Sequence, residues 1–210
     1  MNYLYCILIG YAFGAINPSY LIAKACGFDI RKRGSGNAGA SNVLILFGKS
    51  LGISCALFDI AKATAAIHLS VLLFSDTPYV FSVTAVAAVI GHIFPFYMRF
   101  RGGKGLACLG GAILAFDWRV FLIMLAAEAI FAVAVNYICF VPLTACLIFP
   151  VVFGIMRADL WGALILALMI PIFFYKHFEN FVRIKNGTEA RLSFLWNKTG
   201  ELERMNIPNP

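Results

Sequence analysis

Long apolar runs, separated by short polar loops, fill most of this chain. They lie at about 3–23, 51–74, 79–98, 106–116, 119–137, 139–156 and 160–175. A run of roughly 17–25 residues is what an α-helix needs to cross a hydrocarbon layer about 30 Å thick. The pattern therefore predicts an all-α integral membrane protein with about seven transmembrane helices. It reads as a single domain over 1–210, with a short polar tail at about 190–210. The fourth run is too short to cross upright and has to tilt, sit in thinned bilayer or re-enter. The first run resembles a signal peptide in position only: no basic stretch precedes it and it continues through Tyr20-Leu21-Ile22, so it is expected to be a retained helix.

Composition sharpens this picture by exclusion. With 61% hydrophobic and 13% charged residues, the chain has too little polar surface for a water-soluble globule. Most of its 17 Lys and Arg residues fall into three groups: Lys24, Arg31, Lys32, Arg33 and Lys49; Arg99, Arg101 and Lys104; and Lys176, Arg183, Lys185, Arg191, Lys198 and Arg204. The alternate connections are almost bare. With seven spans all three groups share one side, which puts the N-terminus outside and the C-terminus in the cytoplasm. The net charge of +7 is thus read as attraction to lipid head groups and phosphate ligands, not to nucleic acid. Six cysteines without a CxxC are expected to be packing thiols, with no disulfide and no metal site.

Three motifs share that basic side. "RKRGSGNAGASNVL", Arg31–Leu44, combines Gly34, Gly36 and Gly39 with Ser35, Asn37, Ser41 and Asn42. Such a loop can turn several N–H groups toward one anion. Ser41 or Asn42 is alternatively an N-cap for the next helix. "GHIFPFYMRFRGGKG", Gly91–Gly105, delivers Gly102, Gly103, Lys104 and Gly105 to the start of the fourth run. A helix N-terminus offers unpaired donors and a positive dipole end, to which Lys104 adds a charge, so phosphate is the expected guest. No GxxxxGK[ST] is present, which argues against nucleotide hydrolysis. "KHFENFVRIKNGTEAR", Lys176–Arg191, continues the last run and places His177, Asn180 and Ile184 on one helical face. Lys176, Arg183 and Lys185 are expected to snorkel to the interface.

Within the spans, Asp59 and Lys62 are spaced to pair as an ion pair that lowers the cost of burying either alone. His92 is placed to orient the GGKG turn by hydrogen bonding. Neither an HExxH motif nor a glycosidase-like carboxylate pair occurs. The inventory is one of donors and cations aimed at anions, with little acid–base machinery and no expected cofactor.

In these three motifs the chain resembles the bacterial acyl-phosphate:glycerol-3-phosphate acyltransferases, the PlsY family. The family's SGN-x-GA-[TS]-N corresponds to Ser35–Asn42, its GHxFP…GGKG to Gly91–Gly105 and its KHxxN…GTE to Lys176–Glu189. The resemblance implies a seven-span enzyme of the bacterial inner membrane, with its active site at the cytoplasmic face. It would move a fatty acyl group from acyl phosphate to the 1-hydroxyl of glycerol 3-phosphate, giving lysophosphatidic acid. It also implies that Ser35, Lys104 and the flanking glycine amides hold the donor phosphate and that His177 and Asn180 face the acceptor; Asp59, Lys62, His92 and Glu189 are expected behind them. The pattern departs at Ile45 and at Asn136, where the family usually has arginine, at Cys139 and Pro142, where it has serine, and at Ala63. Two alternatives stand beside the acyltransferase: acyl transfer to a different acceptor, and a non-catalytic membrane protein that binds lipid or anions.

Overall fold

The computed structural model describes residues 1–189 and 191–204. All regular structure among them is helical: α1 (Asn2–Ala15), α2 (Pro18–Ala25), α3 (Ala40–Phe47), α4 (Lys49–Leu73), α5 (Val80–Ile93), α6 (Leu106–Phe116), α7 (Trp118–Val135), α8 (Val141–Arg157), α9 (Leu160–Ala167), α10 (Met169–Lys185) and α11 (Lys198–Arg204), with short 3₁₀ turns between them. Of the tail expected at about 190–210, Ala190 and residues 205–210 lie outside the described residues.

Five segments are long and apolar enough to cross a membrane: Lys49–Leu73, Val80–Met98, Trp118–Val135, Ile138–Arg157 and Leu160–Lys185. A sixth span exists if α1 and α2, bent by 40° at their junction, form one crossing. The expected unbroken first helix is therefore two helices. Pro18 forces Asn17 into an extended conformation, and Asn17 then caps α2 by accepting the N–H of Tyr20 at 2.8 Å. The remaining run is α6, whose 11 residues reach only about 16 Å at 1.5 Å per residue.

Contact between α1 and α5 depends on small residues. Side chains added at Gly14 or Gly91 would overlap the backbone of the opposite helix, so the two axes approach as small residues allow in membranes. The main core joins α4 through α10, and at its centre Phe116 lies 5.2 Å from Phe153 and 5.8 Å from Phe149, ring to ring. Glu128, near the middle of α7, is buried and accepts a hydrogen bond from Thr144 of α8 at 2.7 Å. A smaller cluster of Ala23, Ile30, Ala38, Val43, Cys55 and Met98 seats the first basic loop against the end of α5. All six cysteines are free thiols, and five are buried; Cys26 is exposed.

Candidate active site

The turn carrying Lys104 is built by the end of α5. After Pro95 the chain makes a 3₁₀ turn and doubles back, so that Gly103 N–H donates to the carbonyl of His92 at 3.1 Å and Gly102 N–H to that of Ile93 at 2.9 Å. The glycines are required by the closeness of this return: a side chain on Gly103 would overlap the His92 ring. Gly105 then adopts φ 90° as the N-cap of α6, a conformation glycine takes at little cost. The first intrahelical bond runs from Leu109 N–H to Gly105 C=O. The N–H groups of Lys104, Gly105 and the first turn of α6 thus have no backbone acceptor among the described residues.

This differs from the expectation for Gly102 and Gly103. Their amides were candidates to hold phosphate, but both are spent on α5. The donors that remain are those of Lys104 and Gly105 and of the helix start.

His92 itself is buried beside Asp59 and Lys62. Lys62 pairs with Asp59 at 2.6 Å, as the i, i+3 spacing predicts, and its ammonium also approaches His92 Nδ1 at 3.2 Å. It further donates to the Ile16 carbonyl at the α1–α2 break. Asp59, His92 and Cys108 bring three potential metal-ligating atoms within 4.8 Å of one another. The Lys62 ammonium already supplies the positive charge at that spot, so the group fits an ion-pair brace better than a metal centre. The brace links the break in the first helix pair to the floor of the GGKG turn.

Lys104 reaches across to α10. Its Nζ lies 2.5 Å from Asn180 Oδ1, while Asn180 Nδ2 donates to Glu189 Oε1 at 2.6 Å. Arg183 Nε donates to the other oxygen of Glu189 at 2.6 Å, so Arg183 forms a specific ion pair where snorkelling was expected. Lys176, in contrast, lies over the Phe94 ring at 5.7 Å. Burial, and then the nearby Arg183 guanidinium, lower the Lys104 pKa to about 8. His177, one helical turn before Asn180 and Phe181, is buried, with Nδ1 2.8 Å from the Phe173 carbonyl. A carbonyl only accepts, so Nδ1 carries the proton and Nε2 of the neutral ring has the free lone pair.

The SGN loop is organised by a single side chain. Asn42 is fully buried; its Nδ2 donates to the carbonyls of Ile30, Arg33 and Asn37, each at 3.0 Å, and its Oδ1 accepts the N–H of Ser35 at 2.9 Å. Asn42 was expected as a phosphate ligand; its hydrogen-bonding capacity instead closes the loop. Gly36 N–H is likewise spent, on the Arg33 carbonyl at 3.1 Å. The cap of α3 is Gly39, two or three residues before the expected Ser41 or Asn42. Ser35 and Ser41 stay exposed, and Asn37 is half-buried.

Arg31 ties this loop to the GGKG turn, a link that the sequence pattern missed. Its Nη1 donates to the Met98 carbonyl at 2.6 Å, and its other donors hold Asp29. That contact holds Asp29 at a pKa of about 2. The readable signal was Asp29 two residues before an arginine at a helix start.

Against known proteins, the family model for glycerol-3-phosphate acyltransferase matches residues 4–187. The chain belongs to that family. Glycerol-3-phosphate acyltransferase 1 of Oceanobacillus iheyensis is 38% identical over 210 residues, covering 94% of this chain and 99% of its own. The glycerol-3-phosphate acyltransferase of Thermotoga petrophila is 35% identical over 187 residues, covering 89% and 94%. The crystal structure of PlsY (YgiH) in its glycerol 3-phosphate form superposes with a TM-score of 0.82 at 30% identity, over 93% of this chain and 98% of that one. The lysophosphatidic acid form gives 0.76 at 29%, over 91% and 95%.

Ile45 is exposed on α3. Asn136 caps α7 with φ 62° and receives the chain at Ser193.

Proposed function

We propose that this protein transfers a fatty acyl group from acyl phosphate to the 1-hydroxyl of glycerol 3-phosphate, releasing lysophosphatidic acid and inorganic phosphate. The observation that carries the reading is the meeting of Lys104, at the open N-terminus of α6, with the His177–Asn180 face of α10. Family membership supplies the reaction class. In this reading, Lys104 and the free amides around Gly105 hold the donor phosphate, with Ser35 on the opposing loop. His177 Nε2 accepts a hydrogen bond from the acceptor hydroxyl and so aims its oxygen at the acyl carbon. The new ester C–O bond forms as the C–O bond to phosphate breaks, and the hydroxyl proton leaves with the phosphate. An acyl phosphate already has a good leaving group, so positioning and charge stabilisation suffice.

In the same reading, α6 completes seven crossings, and all three motifs and the C-terminus lie at the cytoplasmic face of a bacterial inner membrane, beside anionic lipid. The test is acyl transfer from palmitoyl phosphate by the purified, detergent-solubilised protein, with glycerol 3-phosphate beside a panel of other hydroxyl compounds. Product with glycerol 3-phosphate is expected. Transfer only to another acceptor would favour the second reading, a changed acceptor, which Ile45 and the engagement of Asn136 elsewhere support. Absence of any turnover by folded protein would point to a lipid- or anion-binding role.

A further inference from the structure

The chain beyond α10 returns to the active-site face and grips it at two points. At the first, Asn136 ends α7 in the left-handed region, where asparagine is well tolerated. Its carbonyl accepts the N–H of Leu192 at 2.9 Å, its Oδ1 the N–H of Ser193 at 3.0 Å, and its Nδ2 donates to Ser193 Oγ at 3.4 Å. Ser193 Oγ donates in turn to Glu201 at 2.8 Å, and Glu201 pairs with Arg204 at 2.8 Å. At the second point, Arg204 donates through Nη1 to the Gly187 carbonyl and through Nη2 to the Glu189 carbonyl, both at 2.6 Å. Glu189 is the residue whose carboxylate holds Asn180 and Arg183, and Asn180 meets Lys104.

We propose that Arg204 and Asn136 are positioning residues: through them the 191–204 segment fixes the Glu189 turn, and with it the Asn180 amide and Lys104, for acyl transfer. The inference rests on the acyltransferase reading above. Two features favour positioning over mere attachment. The guanidinium fork straddles the two carbonyls of the Gly187–Glu189 turn, a bidentate grip that fixes orientation as well as place. In addition, Asn136 Oδ1 is the acceptor that the Ser193 N–H needs, and a side chain with donors alone would leave that N–H unpaired.

The clasp also bears on the charge at Lys104. Facing that ammonium are Arg183, which lowers its pKa, Glu189, Cys139 and Glu179, which raise it, and the His177 ring nearby. Letting Glu189 drift removes a raising influence.

Full-length Arg204→Ala and Asn136→Gly test this from the two ends; glycine keeps the positive φ at 136 and deletes only the side-chain clasp. Each is expected to raise the KM for glycerol 3-phosphate and, through Lys104, that for palmitoyl phosphate, each about three- to tenfold, as loss of one oriented contact would. The alkaline limb of kcat/KM should move to lower pH, and amide exchange at residues 186–189 should quicken. Wild-type KM, pH limb and exchange in both folded variants would overturn the inference. Should the wild-type protein fail to acylate glycerol 3-phosphate, the proposed function falls by itself. The exchange at 186–189 then decides the clasp alone: faster exchange keeps it and unchanged exchange removes it.

Discussion

The SGN loop and the GGKG turn are both glycine-rich, basic and suited to phosphate, yet they are held in opposite ways. The loop encloses one buried side chain, Asn42, that reaches four backbone groups. The turn has no such keystone; two backbone hydrogen bonds to α5 and the absence of side chains on Gly102 and Gly103 define it. One design concentrates its order in a replaceable group and leaves its serine exposed. The other distributes it over the main chain and reserves its only cation for chemistry. Mutations should therefore separate the two loops by kind of failure as well as by size.

The largest effect is expected at the turn. Lys104→Ala removes the charge at the start of α6 and leaves backbone geometry untouched, so turnover should fall by roughly 10²–10³, the range for losing one preorganised electrostatic donor. Size-exclusion and thermal unfolding in detergent should be unchanged. Retained turnover would remove Lys104 from the site. The same group sets a pH limb. A pKa lowered to about 8 means that the ammonium is present below that pH and lost as pH rises through it, so kcat/KM should decline with an apparent pKa near 8. Bound phosphate stabilises the charged form, so kcat should persist to higher pH.

Gly103→Ala comes next, and it should fail differently. The new methyl overlaps the His92 ring, which is buried against Asp59 and Lys62 and has no open space to enter. Overpacking costs about 1–3 kcal/mol, so both the unfolding temperature and turnover should drop, unlike the pure activity loss at Lys104. Asn42→Ala, in the other loop, leaves the Ser35 N–H and three carbonyls without their partner. Satisfying buried groups is worth roughly 1–3 kcal/mol each where water cannot enter. Because this loop sits at the surface, the expected result is local: faster amide exchange over 31–42 and a raised KM for palmitoyl phosphate, with global stability nearly intact. A global loss equal to that of Gly103→Ala would erase the distinction between the two loops.

What was legible in the sequence follows from the range of each interaction. The apolar runs, the i, i+3 pairing of Asp59 with Lys62 and the His177–Asn180 face all depend on neighbours within two helical turns, and periodicity reports them directly. The use of individual N–H groups does not. Gly102 and Gly103 looked like phosphate donors because a glycine-rich turn before a helix usually exposes its amides, and only the return of the chain onto His92 and Ile93 shows them spent. Asn42 looked like a ligand for the same reason, its four partners lying 5 to 12 residues before it. The clasp was harder still: Asn136 and Ser193 are 57 residues apart, and Asn136 stood out only as the absence of an arginine.

The smallest effect should come from Ser35→Ala, and its size tells whether the two loops share a ligand. The Ser35 hydroxyl is exposed, and the residue's structural bond is made by its main-chain N–H to Asn42, which alanine retains. Folding and loop exchange should therefore be those of the wild type. If the hydroxyl opposes Lys104 across one donor phosphate, its removal deletes a single hydrogen bond worth about 0.5–1.5 kcal/mol. The KM for palmitoyl phosphate should then rise about two- to tenfold, with the acceptor KM unchanged. Combined with Lys104→Ala, the loss should be less than additive, since groups that act on one phosphate share its binding energy. Strict additivity would mean that the SGN loop and the GGKG turn serve separate ligands, and the loop would have to be reassigned to the acceptor.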